Sequence, residues 1–341
     1  MNRTVAALTC SLILASAAFA GPIAKDQVSA DAKWVAHLDV EALLASQIVQ
    51  TILAEEQKKG LAEKLAKFTE TFGLDPLKDL RSVTLWGETF GPAGGVAIIQ
   101  AKVDQEKLLK LLAANAGHKE TKYGERAVHQ WTQSPEGKGD TGIRFGTFYK
   151  DDVTVITRSE DVLKHAIDVL DAKESSLAKE DSGLLPAESK GAFLVAAAKD
   201  ITVPEEADPH AAMLRKVSGG TLVVGEDGDN VFVKASVIGK TDTDAQQFRQ
   251  MAQGMLALAQ VLQEQATQAG KPAPAWAELT KGLKVGGEAA VVTMEFTGPV
   301  KDVTEMILKA AEAKKAAMSA GVHHNRKAPV APPAPQSDAG E

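Results

Sequence analysis

The residues of this chain whose types could carry chemistry are seven histidines, one cysteine and a few serine–glycine and acid–glycine clusters. A metal centre needs histidines and carboxylates that converge on one ion. His37 falls in the first strand-like run, His118 and His129 on the two arms of one hairpin, His165 on an amphipathic helix, and His323-His324 in the tail. His118 and His129 face each other across a short turn and can approach in space. As a bare pair they read as surface histidines on a solvated strand face, and no metal ligand is assigned. A serine nucleophile of the α/β-hydrolase kind would sit in G-x-S-x-G between a strand and a helix. The nearest cluster, Ser218-Gly219-Gly220, instead opens a strand. Glu226-Asp227-Gly228-Asp229-Asn230 looks like part of a calcium loop but lacks the repeated spacing and the closing glutamate. Flanked by two strand-like runs, it is a hairpin turn. Gly94-Gly95 and Gly286-Gly287 precede strands, whereas a phosphate loop opens a helix, and Gly270-Lys271 lacks the Walker surroundings. The sequence therefore assigns no catalytic residue, no cofactor and no metal. A hydrolase would have to gather carboxylates or histidines from distant positions.

The elements that would position these residues are easier to read. Residues 33–38 form a strand, and Asp39 caps a helix carrying Leu43, Leu44, Ile48, Ile52 and Leu53. A second helix places Leu61, Leu65, Phe68 and Phe72 on one face and stops at Gly73, with Pro76 beyond. Strands at 83–86 and 96–101 lead to a helix capped by Asp104, with Leu108, Leu109, Leu111 and Leu112. Hairpins follow at 118–131, through Gly124-Glu125, and at 143–157, and then a helix from Ser159 bearing Val162, Leu163, Ile167 and Leu170. Residues 173–190 are polar and read as a linker. Beyond it lie a strand at 191–197, a hairpin at 221–238 and a capping box of Thr243 with Gln246. The long helix that follows carries a seam of Phe248, Met251, Met255, Leu258 and Leu262, expected to face the core. A last hairpin, 283–296, enters a helix with Val303, Met306, Ile307 and Ala310.

The stretch 77–112 recurs from Leu214: Leu77, Leu80, Thr84 and Leu85 match Leu214, Val217, Thr221 and Leu222 at constant offset. The expected fold is α+β: antiparallel sheets with helices packed on one face, in two structurally similar halves. The divisions are 1–20, a signal peptide; 21–182 and 183–320, the halves; and 321–341, a disordered Pro/Ala-rich tail.

Composition narrows the setting. Among the 341 residues, 44% are hydrophobic and 24% charged, as in an ordinary globular protein. The net charge of −7 argues against nucleic acid, which needs a basic face. Met1-Asn2-Arg3, the apolar run 5–19 and Ala18-Phe19-Ala20 form an export signal cut before Gly21. Cys10 lies within it. Ala7-Leu8-Thr9 lacks the leucine a lipid-attachment cysteine has three positions before it, so the mature chain is cysteine-free and has no transmembrane segment. The expected location is periplasmic or extracellular.

Phe72-Gly73-Leu74-Asp75-Pro76-Leu77-Lys78-Asp79-Leu80 with Val83-Thr84-Leu85-Trp86, the hairpin at Tyr123-Gly124 and the step from Val153 to Leu170 resemble a family of exported bacterial proteins of unknown function. That family has a duplicated strand–helix–hairpin–helix layout. The resemblance implies an envelope or secreted location and no known activity. The leading expectation is a non-catalytic envelope protein with a binding or scaffold role. Its alternatives are a carrier of a lipid or other apolar small molecule, held between sheet and helices, and a hydrolase with dispersed acidic and histidine residues. The expected partner is an envelope protein or an apolar ligand.

Overall fold

The computed structural model describes residues 23–57, 60–115, 117–133, 142–187, 190–203, 213–270 and 280–324. The expected signal, with Cys10, and most of the expected tail lie outside these residues. In chain order the elements are β1 (Trp34–Asp39), α1 (Val40–Ala45), α2 (Gln47–Gln57), α3 (Leu61–Phe72), β2 (Leu80–Gly87), β3 (Gly95–Ala101), α4 (Gln105–Ala113), β4 (Lys119–Tyr123), β5 (Arg126–Thr132), β6 (Ile143–Lys150), β7 (Val153–Thr157) and α5 (Glu160–Leu170). They continue with β8 (Ala192–Ala198), β9 (Val217–Asp227), β10 (Asn230–Gly239), α6 (Asp242–Gln268), β11 (Leu283–Gly286), β12 (Val291–Pro299) and α7 (Val300–His324). The last helix runs past Gly321, where the sequence suggests the tail begins.

Among the described residues the twelve strands join one antiparallel sheet, ordered β11-β12-β10-β9-β8-β1-β2-β3-β7-β6-β5-β4. The seam is β1 against β8, with Val35 opposite Ala197 and His37 opposite Val195. From it β2-β3 extend one way and β9-β10 the other.

Paired residues share a face of a sheet. Val35, Trp86, Val96 and Thr157 lie in one row and Ile98 with Val155 in the next. On this face pack Leu163, Ala166 and Ile167 of α5, together with Val28 and Ala32 from the N-terminal segment and Leu177 and Leu184 from the segment after α5. The expected linker is thus a packed strap: Ala30 N–H donates to the Ser175 carbonyl at 3.1 Å and Leu177 N–H to that of Val28 at 2.9 Å. The opposite face, with Ile156, Gly146 and His129 in one row, carries α4. The α+β class with antiparallel strands holds, but the helices cover both faces at this end of the sheet rather than one. The cause is in the strands: β6 and β7 are apolar on both sides, with Phe145 and Val155 pointing one way and Phe148 and Ile156 the other.

Asp39 caps α1 as expected, Oδ1 accepting from Ala42 N–H at 2.8 Å. The single helix read over Leu43 to Leu53 is instead two, broken at Ser46, whose ψ of 145° is extended. The Ser46 hydroxyl donates to the Leu43 carbonyl at 2.6 Å and accepts from Val49 N–H at 3.3 Å, and the Glu226 carboxylate accepts from Gln47 and Ile48 N–H at 2.8 and 3.0 Å. The acidic turn that resembles a calcium loop is therefore a two-residue hairpin, Gly228 at φ 57°, and its first glutamate caps α2.

A candidate apolar ligand cleft

The site grows from the junction of α3 with α4. Gly73 ends α3 at φ 69°, its N–H bonding the Thr69 carbonyl at 2.8 Å. A Cβ added there would lie 2.9 Å from that of Asp104, the residue that caps α4 by accepting from Lys107 N–H at 3.0 Å. Lys107 Nζ in turn donates to the Glu70 carbonyl. This close approach sets Phe72 beside Leu108, Leu111 and Leu112 of α4. The far end of α4 is tied down by Asn115, whose Nδ2 donates to the Thr132 carbonyl at 2.8 Å.

Between these helices and the sheet lies a cavity of about 390 Å³, within the range of small-molecule sites. Its sheet wall is His129 and Trp131 of β5, Phe148 of β6, and Thr154 and Ile156 of β7, with Gly146 at its floor. A Cβ on Gly146 would meet the Trp131 ring at 3.1 Å, so the missing side chain lets the indole lie over the strand. Neither α3 nor α4 buries a single residue, although both are amphipathic. By contrast α5, on the other face, buries Leu163, Ala166, Ile167 and Val169. The cleft helices stand off the sheet where α5 is sealed to it.

His129 is 4% exposed, which corrects its reading as a surface histidine. The approach across the turn does occur: His118 Nε2 is 3.3 Å from His129 Nδ1, with the rings stacked 5.5 Å apart. Burial pushes His129 below the usual histidine range; Glu120, 3.9 Å from Nδ1, pulls it up, and His118 pushes it down again. A neutral imidazole therefore lines the cleft.

The other histidines are elsewhere. His37 is buried on β1, Nδ1 at 2.9 Å from the Thr84 hydroxyl, and the side chains of His323 and His324 lie outside the described set. His165 bridges two carboxylates, Glu88 at 2.7 Å and Glu174 at 3.3 Å, while the buried Ser29 hydroxyl donates to the same Glu88 oxygen at 2.6 Å. Sequence reasoning missed this cluster, since its members lie on the N-terminal segment, the β2–β3 loop, α5 and the strap. A catalytic triad orders serine, histidine, acid; here the acid lies between, so the imidazole does not bond the serine. The only base on it is the Glu88 carboxylate, which the His165 bond makes weaker still. The arrangement is a clamp on the α5 face. Among the described residues no group of three or more histidine, cysteine or acidic side chains could hold a metal. Ser218 opens β9 as expected, its hydroxyl donating to the Ile238 carbonyl at 3.1 Å.

On α6 the expected core seam is overturned. Phe248 is buried, but Met251, Met255 and Leu258 are exposed, Met255 to 66%, and Val261 joins them. The face toward the sheet is Ala245, Phe248, Ala252, Leu256 and Ala259, a stripe of mostly small residues that lets the helix approach closely.

No family model matches the chain, and no curated protein matches it. Among solved structures, TP0453 resembles it in crystal forms I and III with TM-scores of 0.40 and 0.40, both at 8% identity, covering 84% of this chain and 97% and 98% of those chains. Form IV gives 0.39 at 9% identity, covering 83% and 95%. A likeness this distant carries neither family membership nor function. Among the described residues no helix is long and apolar enough to cross a membrane.

Proposed function

We propose that this chain is an exported, non-catalytic binding protein of the cell envelope, and that it holds an apolar small molecule in the cleft between α3–α4 and β5–β7. The observation that carries the reading is the stand-off of α3 and α4. Leu108, Leu111 and Leu112 of α4 and Phe72 at the end of α3 line a cavity of about 390 Å³ instead of closing on the sheet. Unfilled apolar volume weakens a fold, and a ligand that occupies it restores the lost contacts. The basic start, the apolar run and the small residues at Ala18 and Ala20 support the envelope location. Native mass spectrometry of gently purified protein should show small apolar adducts that denaturation releases. Protein that is repeatedly empty, and that also takes up no apolar dye, contradicts the reading.

A scaffold role with a protein partner is the second reading, favoured by the exposed Met251, Met255, Leu258 and Val261. Crosslinks from that stripe into one envelope protein, with the cleft empty, would support it over the first. The hydrolase reading draws only on the Ser29–Glu88–His165 clamp, whose order leaves the serine unactivated; turnover of a hydrolase substrate panel would revive it.

A further inference from the structure

The cleft is apolar but not featureless. Three side chains on its sheet wall present polar atoms that form no hydrogen bond with any described residue. His129 uses Nδ1 toward His118 and leaves Nε2 without such a bond. Trp131 lies two residues along β5, hence on the same face, and its Nε1–H has no acceptor among the described residues; Thr154 on β7 likewise leaves its hydroxyl unused. The amide of Asn115, also in the lining, is already occupied by Thr132 and Gly117. These polar atoms are not sealed in the protein but reach the cleft, so whatever fills it must offer them the hydrogen bonds that water otherwise makes.

Their chemistry defines the missing half. An indole N–H donates and cannot accept. When His118 Nε2–H donates to His129 Nδ1, the neutral His129 ring carries its own proton on Nε2, a second donor. The threonine hydroxyl adapts to either role. Among the described residues no lysine, arginine, aspartate or glutamate lines the cavity, so the lining offers hydrogen bonds to an oxygen rather than a full ion pair.

Resting on the cleft reading above, we propose that the ligand is a single-chain compound with a hydrogen-bond-accepting carbonyl head, a long-chain carboxylic acid or its ester. Its chain lies against Phe72, Leu108, Leu112, Phe148 and Ile156, and its head meets His129 and Trp131.

The test is displacement of an environment-sensitive apolar dye from the full chain by dodecanoic acid, methyl dodecanoate and dodecylamine. The acid and the ester should displace the dye, with their order telling which head is preferred, and the amine, whose ammonium only donates, should bind at least tenfold more weakly. Trp131→Phe and His129→Phe should each weaken acid and ester about tenfold, the loss of one good hydrogen bond, and leave the amine unchanged. Thr154→Val, the mildest change, is the second variant should either aromatic swap unfold the protein. Equal affinity for all three probes, unmoved by these substitutions, overturns the proposal about the head while leaving the cleft in place. Failure of the wild type to bind the dye, or full dye binding by Leu112→Trp, which fills the cavity, overturns the cleft reading itself.

Discussion

At the scale of single residues, ionisable groups here divide into those that hold the fold and those that face the cleft. His165 belongs to the first kind. The Glu88 hydrogen bond, helped by the charges of Glu88 and Glu174, raises its pKa against the effect of burial, and the same bond lowers that of Glu88. The two shifts report one ion pair and set its window. A raised histidine stabilises fully below its unfolded value of 6.5 and loses that contribution as pH rises through its folded pKa; a lowered glutamate stabilises above 4.5 and loses it as pH falls through its own. Thermal melts of His165→Gln should therefore lie furthest below wild type between pH 4.5 and 6.5, and the gap should narrow toward alkaline pH. A gap that widens with rising pH would remove the ion pair from the account. Most helix caps were legible at this scale, since Asp39, Asp104 and Gly73 act within a few residues of their partners. But α6 is capped by Thr241, which accepts from Asp244 N–H at 3.1 Å, and the expected box of Thr243 with Gln246 lies inside the helix. The break at Ser46 was not legible, because the carboxylate that makes it favourable comes from Glu226, 178 residues away from Ile48.

At the scale of elements, the contrast between α4 and α5 is the physical core of the proposal. Both carry aliphatic residues at helical spacing, leucines in α4 and valine, leucine and isoleucine in α5, so periodicity alone gives them the same expectation. Only packing separates them. Leu163 of α5 is 0% exposed and Leu111 of α4 is 41% exposed. Leu163→Ala should cost about 3 kcal/mol, as large-to-small changes in sealed cores do, whereas Leu111→Ala should stay within about 0.5 kcal/mol. Urea unfolding of the two variants measures this directly, and equal losses would mean that α4 is an ordinary core helix. Helix α6 shows the same limit of sequence reading. Its apolar residues fit two adjacent stripes, and the larger side chains of Met251, Met255 and Leu258 drew the reading to the wrong one. Close approach to β10 and β12 selects the small stripe through Ala245, Ala252 and Ala259 instead. His129 likewise could be placed on a hairpin face by its period of two, but what covers that face depends on a helix that arrives from across the β4–β5 hairpin.

At the scale of the whole molecule, the sheet is open, and its edges are guarded. One edge is β4, with Lys119, Glu120 and Lys122 exposed, and the other is the four-residue β11. Strand order could not be read from the chain, because β1 finds β8 only after more than a hundred residues, and local patterns say nothing of such pairings. The continuous sheet places the cleft at one end, far along the strand order from α6, which packs over β10 to β12 and bears the exposed stripe on its outer face. That separation allows a direct test of where an apolar molecule binds. A photoreactive twelve-carbon acyl probe, crosslinked to the full chain and mapped by peptide mass spectrometry, should label α4 and strands β5 to β7, with labelling lost in Leu112→Trp. Labelling confined to Met251, Met255, Leu258 and Val261, with α4 and β5 to β7 unmodified, would contradict the account.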